Sequence, residues 1–236
     1  MAFQVKKNLV TFSELGDPPL EGEFGRAFTE QLKDRLLLKV CGMKHPDNIK
    51  ELAAAKPDLM GLIFYPKSKR YVGDLDPETV IAATQGIKRV GVFVNETIDN
   101  ILKQVERFQL ELVQLHGDET PEFVQHLKDK VGIIKVFSVS DSLPDLAPYE
   151  GLVDYFLFDT STPNYGGSGK QFNWDILSGY SSKVPFLLSG GVGLENLEAV
   201  KALSIPQLIG IDVNSKIELE PGLKDIEQVK QLKQRL

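Results

Sequence analysis

Val184-Pro-Phe-Leu-Leu-Ser-Gly-Gly-Val192 and, one helical pattern later, Leu208-Ile-Gly-Ile-Asp-Val-Asn-Ser215 decide the fold. Each is a short apolar run that ends in small residues, with a helical pattern behind it. Such runs read as strands buried on both faces, the signature of a parallel sheet. Taken singly, either turn is also what an ordinary strand-to-helix connection looks like. Side by side at the end of an α/β chain, the two present backbone N–H groups to one anion, and so point to a phosphate ester.

Six more runs of the same kind precede them. The eight cover residues 36–42, 59–65, 89–95, 110–117, 132–139, 155–160, 185–191 and 208–215. They start roughly 20–30 residues apart, room for a strand, a helix and two loops. The segments between carry helix signals. Pro46 precedes an Ala-rich stretch, and Thr97 precedes Ile98, Ile101, Leu102 and Val105 on one helical face. Thr120 is followed by Pro121, a cap and a first-turn proline. Eight βα units predict a single (β/α)8 TIM barrel over residues 36–236, although periodicity does not separate a closed barrel from an open doubly wound sheet. Residues 1–35 fall outside the rhythm and form an N-terminal extension. It has a Gly/Pro/Glu-rich loop over 16–25, then Phe24, Phe28 and Leu32 at helical spacing. A helix packed on the bottom or side of the barrel is expected there, with a partner-binding or disordered arm as the alternative.

Bulk properties narrow the function. The chain has 236 residues, 42% hydrophobic and 25% charged, with a formal charge of −6, which argues against non-specific nucleic-acid binding. An anion site here is therefore a local device. No apolar run is long enough to span a membrane, and the N-terminus lacks a signal-peptide core. Cys41 is the only cysteine, and His45, His116 and His126 are the only histidines. Neither a disulfide framework nor a zinc cluster is expected, and the location expected is cytoplasmic.

In such a barrel the chemistry sits at the carboxyl ends of the strands. Those ends read Cys41-Gly42, Tyr65, Asn95, His116-Gly117, Ser138, Asp159-Thr160, Ser189-Gly190-Gly191 and Asp212-Val-Asn214-Ser215, far more polar than the run interiors. Gly190, Gly191, Asn214 and Ser215 are the phosphate candidates. Asp159, before a Gly-rich loop ending at Gly169, suits a general acid if burial raises its pKa; otherwise it caps a turn. Cys41 is either a small buried hydrophobe or a base, the latter if positive charge or backbone amides lower its pKa. Lys39 shares its strand face with Cys41 and either supplies part of that positive field or, the reading preferred, pairs with Asp212 across the seam of strands one and eight. Arg70, in the loop after strand two, either grips a carboxylate as a fork or is an exposed loop arginine. Gln114 and His116, on one face of strand four, line the pocket or satisfy buried backbone groups.

With these residues placed, the chain resembles phosphoribosylanthranilate isomerase of tryptophan biosynthesis from about Leu37 onward. The motifs are Lys39-Val-Cys-Gly-Met43, Gly61-Leu-Ile-Phe-Tyr-Pro-Lys-Ser-Lys-Arg-Tyr-Val72, Gly91-Val-Phe-Val-Asn95, Val113-Gln-Leu-His-Gly-Asp118, Asp159-Thr160 with Gly166-Gly-Ser-Gly169, Ser189-Gly-Gly191 and Gly210-Ile-Asp-Val-Asn-Ser215. Each alone is modest; in this order and spacing they are specific. The resemblance implies Cys41 as general base, Asp159 as general acid, Arg70 on the anthranilate carboxylate, and Gly190, Gly191 and the Asn214-Ser215 turn on the phosphate. The family more often has Ser where Asn214 stands, and no family role transfers to the extension.

The implied reaction is an Amadori rearrangement of N-(5-phosphoribosyl)anthranilate to 1-(2-carboxyphenylamino)-1-deoxyribulose 5-phosphate, by a monomer or homodimer. It needs no cofactor, because the substrate nitrogen serves as electron sink. Two related enzymes are alternatives. The histidine-pathway isomerase has Asp at the strand-one position, and indole-glycerol-phosphate synthase has a Lys/Glu set and a Ser-Pro-Ser motif not evident here. A non-catalytic phosphate-ligand barrel is the alternative of another class.

Overall fold

The computed structural model describes residues 35–160 and 173–236. The expected N-terminal helix with Phe24, Phe28 and Leu32, and the Gly-rich loop after Thr160, lie outside the described residues. Eight parallel strands, β1 (Leu37–Cys41), β2 (Leu59–Ile63), β3 (Lys88–Phe93), β4 (Leu112–Leu115), β5 (Gly132–Val139), β6 (Tyr155–Thr160), β7 (Phe186–Leu188) and β8 (Leu208–Val213), close into one barrel. Closure is made by β1 pairing with β8, in a register that sets Lys39 opposite Asp212. This resolves the choice between a closed barrel and an open sheet.

The helices before β5 each open on a first-turn proline, a side-chain cap or both. Helix α1 (Pro46–Ala55) opens on Pro46, whose missing N–H is no loss in a first turn. Asp76 caps α2 (Pro77–Ala83) by accepting from Thr79 N at 2.9 Å, and Thr97 caps α3 (Ile98–Phe108). In α3 the side chains of Ile101, Val105 and Phe108 are buried, with Ile98 and Leu102 packed beside them, as the spacing requires. Thr120 caps α4 (Pro121–Leu127). The rhythm then loosens. After β5 there is one 3-10 turn, Ala147–Tyr149, in a segment interrupted by Pro144, Pro148 and Gly151. Proline removes the N–H groups a longer helix needs. A 3-10 segment, Trp174–Gly179, precedes β7, and α5 (Leu197–Lys201) precedes β8. Beyond β8 come the 3-10 turn Ser215–Ile217, an antiparallel hairpin of β9 (Glu218–Glu220) and β10 (Leu223–Lys224), and α6 (Ile226–Arg235). Among the described residues no helix is long and apolar enough to cross a membrane.

The side-chain alternation of the strands sorts two cores. Outward residues such as Leu38, Val40, Met60, Leu62, Phe156, Phe158, Phe186 and Leu188 pack against the helices. Inward residues Leu59, Val90, Leu112, Ile134, Val136, Leu157 and Leu187 fill the barrel near the amino ends of the strands. The same inward faces turn polar toward the carboxyl ends, through Lys39, Gln114, Ser189 and Asp212, all buried.

Lys39 and Asp212 form an ion pair, Nζ to Oδ1 2.7 Å, with Lys39 wholly buried, and Ser189 Oγ donates to the other carboxylate oxygen at 3.3 Å. Removing one member of such a pair leaves a buried charge uncompensated. Lys39→Met is therefore expected to lower the unfolding free energy by about 3–5 kcal/mol in urea titration, whereas Lys39→Met with Asp212→Leu recovers most of that loss.

Candidate active site

The carboxyl ends of β1, β4, β6, β7 and β8 bring their polar residues to one end of the barrel. Cys41 ends β1 and packs with Ile63, Val92 and Tyr65 on the inward side. Room for its thiol exists because β2 carries Gly61 alongside; a Cβ there would lie 2.6 Å from the sulfur. Burial pushes the Cys41 thiol above its ordinary value, opposed by the charges of Lys39 and Lys224, with Asp212 adding to the rise. The condition set for Cys41 as a base, a pKa lowered by nearby positive charge, is not met in the resting site. The cations are present, and desolvation outweighs them.

Asp159, near the end of β6, is mostly buried. Its Oδ1 accepts from Thr160 N at 2.8 Å. Burial lifts the carboxyl to about 6, aided by the negative charge of Asp212 and opposed by the Thr160 N–H and Lys39. His116, just past β4, places Nε2 3.6 Å from Asp159 Oδ2. The distance allows an ion pair, but burial lowers the imidazole to about 4, helped by Lys39 and Lys135, so near neutrality the ring is uncharged. Gln114 Nε2 lies 3.3 Å from His116 Nδ1. Donation from that amide leaves the ring proton on Nε2, toward Asp159. Gln114 Oε1 is buried without a hydrogen-bond partner among the described residues. A buried acceptor left without a donor is costly, and a ligand hydroxyl would satisfy it.

The anion turn sits on β7 and β8, which are neighbours. Gly190 and Gly191 have φ of +81° and +77°. This is the left-handed region that side chains resist. A Cβ on Gly190 would also lie 2.7 Å from Thr160 N and strike the Thr160 hydroxyl. The Gly191 carbonyl is turned away to accept from Asn196 Nδ2 at 2.9 Å. Ser215 opens a three-residue 3-10 turn. It offers backbone N–H groups but too short a stack of peptides for an appreciable helix dipole.

Arg70 is half-buried and is not the free loop arginine of one reading. Its Nε and Nη2 meet the Glu218 carboxylate at 2.8 and 2.6 Å. Its Cδ and the Asn214 amide oxygen lie over Gly42, where a Cβ would be 2.8 and 2.9 Å from them. Gly42, with φ +80°, thus lets two site residues cross the end of β1. Asn214 itself accepts from Lys224 Nζ at 2.6 Å through its side chain. Glu218, Lys224 and Gly42 were not singled out as site residues from the sequence. The Glu218 and Lys224 side chains enter from the hairpin after the last strand, and no spacing rule connects that hairpin to the loop after β2.

A cavity of about 790 Å³ opens at the opposite end of the barrel, lined by Arg35, Asp58, Leu112, Tyr155 and Lys233. It touches none of these strand ends, and the convergence of polar groups with shifted pKa values outranks volume as the mark of a site. Among the described residues no three His, Cys, Asp or Glu side chains converge as metal ligands.

The geometry predicts that Gly190→Ala disturbs both the anion turn and Thr160. A rise in KM for a phosphorylated substrate of about tenfold is expected in steady-state assays, the loss of one or two charge-assisted N–H contacts.

Comparison with known proteins shows the family. Residues 38–235 match the family model described as N-(5'phosphoribosyl)anthranilate (PRA) isomerase. An N-(5'-phosphoribosyl)anthranilate isomerase of Parabacteroides distasonis is 44% identical over 206 residues, covering 85% of this chain and 93% of that protein. The crystal structure of phosphoribosyl anthranilate isomerase from Thermus thermophilus superposes with a TM-score of 0.72 at 27% identity, covering 85% of this chain and 98% of that one. A further phosphoribosyl anthranilate isomerase, solved in complex with reduced 1-(o-carboxyphenylamino)-1-deoxyribulose 5-phosphate, gives a TM-score of 0.66 at 29% identity, covering 84% and 97% of the two chains. The chain belongs to the N-(5'-phosphoribosyl)anthranilate isomerase family.

Proposed function

We propose that this protein rearranges N-(5-phosphoribosyl)anthranilate to 1-(2-carboxyphenylamino)-1-deoxyribulose 5-phosphate with Asp159 as acid and Cys41 as base. The observation that carries the reading is the mostly buried Asp159 near the end of β6, lifted to about 6, so that a minor fraction of the carboxyl still holds a proton near neutrality. Asp159 donates that proton to the furanose ring oxygen while the nitrogen lone pair opens the ring to an iminium. The cation acidifies the C2′ hydrogen. The Cys41 thiolate removes it, leaving an enolamine that tautomerises to the ketone. Residues 36–236 form the catalytic barrel, and the cytoplasm is the location we assign.

The remaining residues hold the two ends of the substrate. Gly190, Gly191, Asn214 and Ser215 bind the phosphate through backbone groups. Arg70, with one edge of its guanidinium on Glu218, offers the other edge to the anthranilate carboxylate; its Nη1 has no protein partner among the described residues. Gln114 accepts from a sugar hydroxyl, and neutral His116 donates toward Asp159. Asp212 acts through Lys39 and Ser189 beneath the substrate. The protein works on a small phosphorylated molecule as a monomer or homodimer.

The reactive form carries one proton on the pair, resident on Asp159 while Cys41 is ionised. That count equals one proton in the resting form, where the thiol keeps it and the carboxyl is charged. Accordingly kcat/KM should rise with pH through about 6, stay level, and fall once the thiol ionises above its ordinary range. The substrate phosphate titrates near the lower limb, so Asp159→Asn assigns it. In that variant the high-pH fall should disappear and the residual rate should climb as the thiol ionises. Cys41→Ala and Asp159→Asn should each lower kcat by about 10²–10⁴ with little change in KM, followed by the fluorescence loss of phosphoribosylanthranilate. Near-normal turnover by Cys41→Ala would remove the thiol from the mechanism.

A further inference from the structure

The hairpin after β8 carries a buried ionic chain that takes no proton and forms no bond in the proposed reaction. Glu218 sits at its centre. Its carboxylate accepts from Arg70 Nε at 2.8 Å and Nη2 at 2.6 Å, from Gly222 N at 3.0 Å, and from Lys224 Nζ at 2.6 Å. The side chains of Glu218 and Arg70 are 5% and 12% exposed, and that of Lys224 is wholly buried. Lys224 Nζ reaches on to Asn214, 2.6 Å from the amide oxygen and 3.2 Å from the carbonyl. The backbone of Lys224 is pinned to α1, donating to Asn48 Oδ1 at 2.7 Å and accepting from Asn48 Nδ2 at 3.0 Å.

Apolar residues would hold a hairpin to a barrel at least as well as buried charges do. What an ionic chain adds is direction. A carboxylate that takes two N–H groups of one guanidinium fixes the plane and the roll of that fork. Here it occupies the Nε edge of Arg70 and leaves Nη1 for another acceptor. The chain also spans two places that are distant in sequence, the loop after β2 and the turn after β8. Lys224 is the only side chain on it that touches both the Arg70 partner and the phosphate-side turn.

We propose that Glu218 and Lys224 are positioning residues, which through Arg70 and Asn214 set the spacing between the carboxylate grip and the phosphate turn, and so make the enzyme selective for an aryl amine bearing an ortho carboxylate. This rests on the reading of Arg70 as the carboxylate ligand. Glu218 acts through Arg70 and touches no reacting atom. Lys224 acts on both ends of the substrate.

The test compares N-(5-phosphoribosyl)anthranilate with N-(5-phosphoribosyl)aniline, which lacks the carboxylate, on the full chain. Wild type should prefer the first, and Arg70→Met should abolish the preference. Glu218→Gln should raise KM for the anthranilate substrate about tenfold, alter kcat less, and leave the aniline substrate nearly unaffected. Added to Arg70→Met it should change nothing further, because the two residues act as one unit. Lys224→Met should raise KM for both substrates and, because it removes a cation that acts on Cys41, lower kcat for both to a similar extent. Glu218→Asp keeps the charge with a shorter arm and should fall between wild type and Glu218→Gln, so the series stays readable if the Gln variant folds poorly. A preference that Arg70→Met abolishes and both Glu218 variants leave intact overturns the clamp alone. A preference that Arg70→Met leaves intact removes the grip itself and the clamp with it. A wild type that turns over neither substrate would sink the isomerase reading at an earlier step.

Discussion

The ion pair between Lys39 and Asp212 is the interaction on which the mouth of the barrel depends. It lies where β1 meets β8, so it forms only if the sheet closes. Once formed, it places a positive and a negative charge beneath the site in a medium that screens them weakly. Both charges act on Cys41 and on Asp159. The pair thus joins the closure of the fold to the protonation of the two residues assigned to the chemistry.

Burial acts on those two residues in the same sense. Each ionises to an anion, and desolvation raises both. For Asp159 the rise makes a useful acid. For Cys41 it works against the base, and Lys39 and Lys224 limit that penalty without cancelling it. Near neutrality the thiol therefore keeps its proton and the carboxyl is mostly charged, the reverse of what the proposed reaction uses. The proposed reactive form is thus a minor one, the consequence of burying two groups that both ionise to anions. His116 stays out of this exchange near neutrality, since burial keeps its ring uncharged.

The two grips proposed for the substrate are built differently. At the candidate phosphate turn, positive φ at Gly190 and Gly191 disfavours a side chain, and a Cβ on Gly190 would also strike Thr160. The candidate carboxylate ligand is a long side chain, Arg70, which Glu218 holds by two N–H groups. Gly42 permits both Arg70 and Asn214 to cross the end of β1 beside Cys41. The site is thus built from strand ends that the barrel aligns and from a hairpin that reaches back over them.

Much of this was legible in the chain itself. Eight doubly buried runs, Thr97 and Thr120 at helix starts, and polar residues at the run ends are local features, and local sterics and burial decide them. The pairing of Lys39 with Asp212 could also be anticipated, because a closed barrel makes strands one and eight neighbours. The missing helix after β5 had its prolines in view, at 144 and 148, yet a regular repeat concealed them. What only tertiary structure decided is whether the sheet closes, whether desolvation or nearby cations win at Cys41, and what Arg70 touches. Those outcomes depend on distances between residues far apart in sequence, such as Arg70 and Glu218 or Asn48 and Lys224, and on how much water each group loses. No one-dimensional pattern carries either quantity.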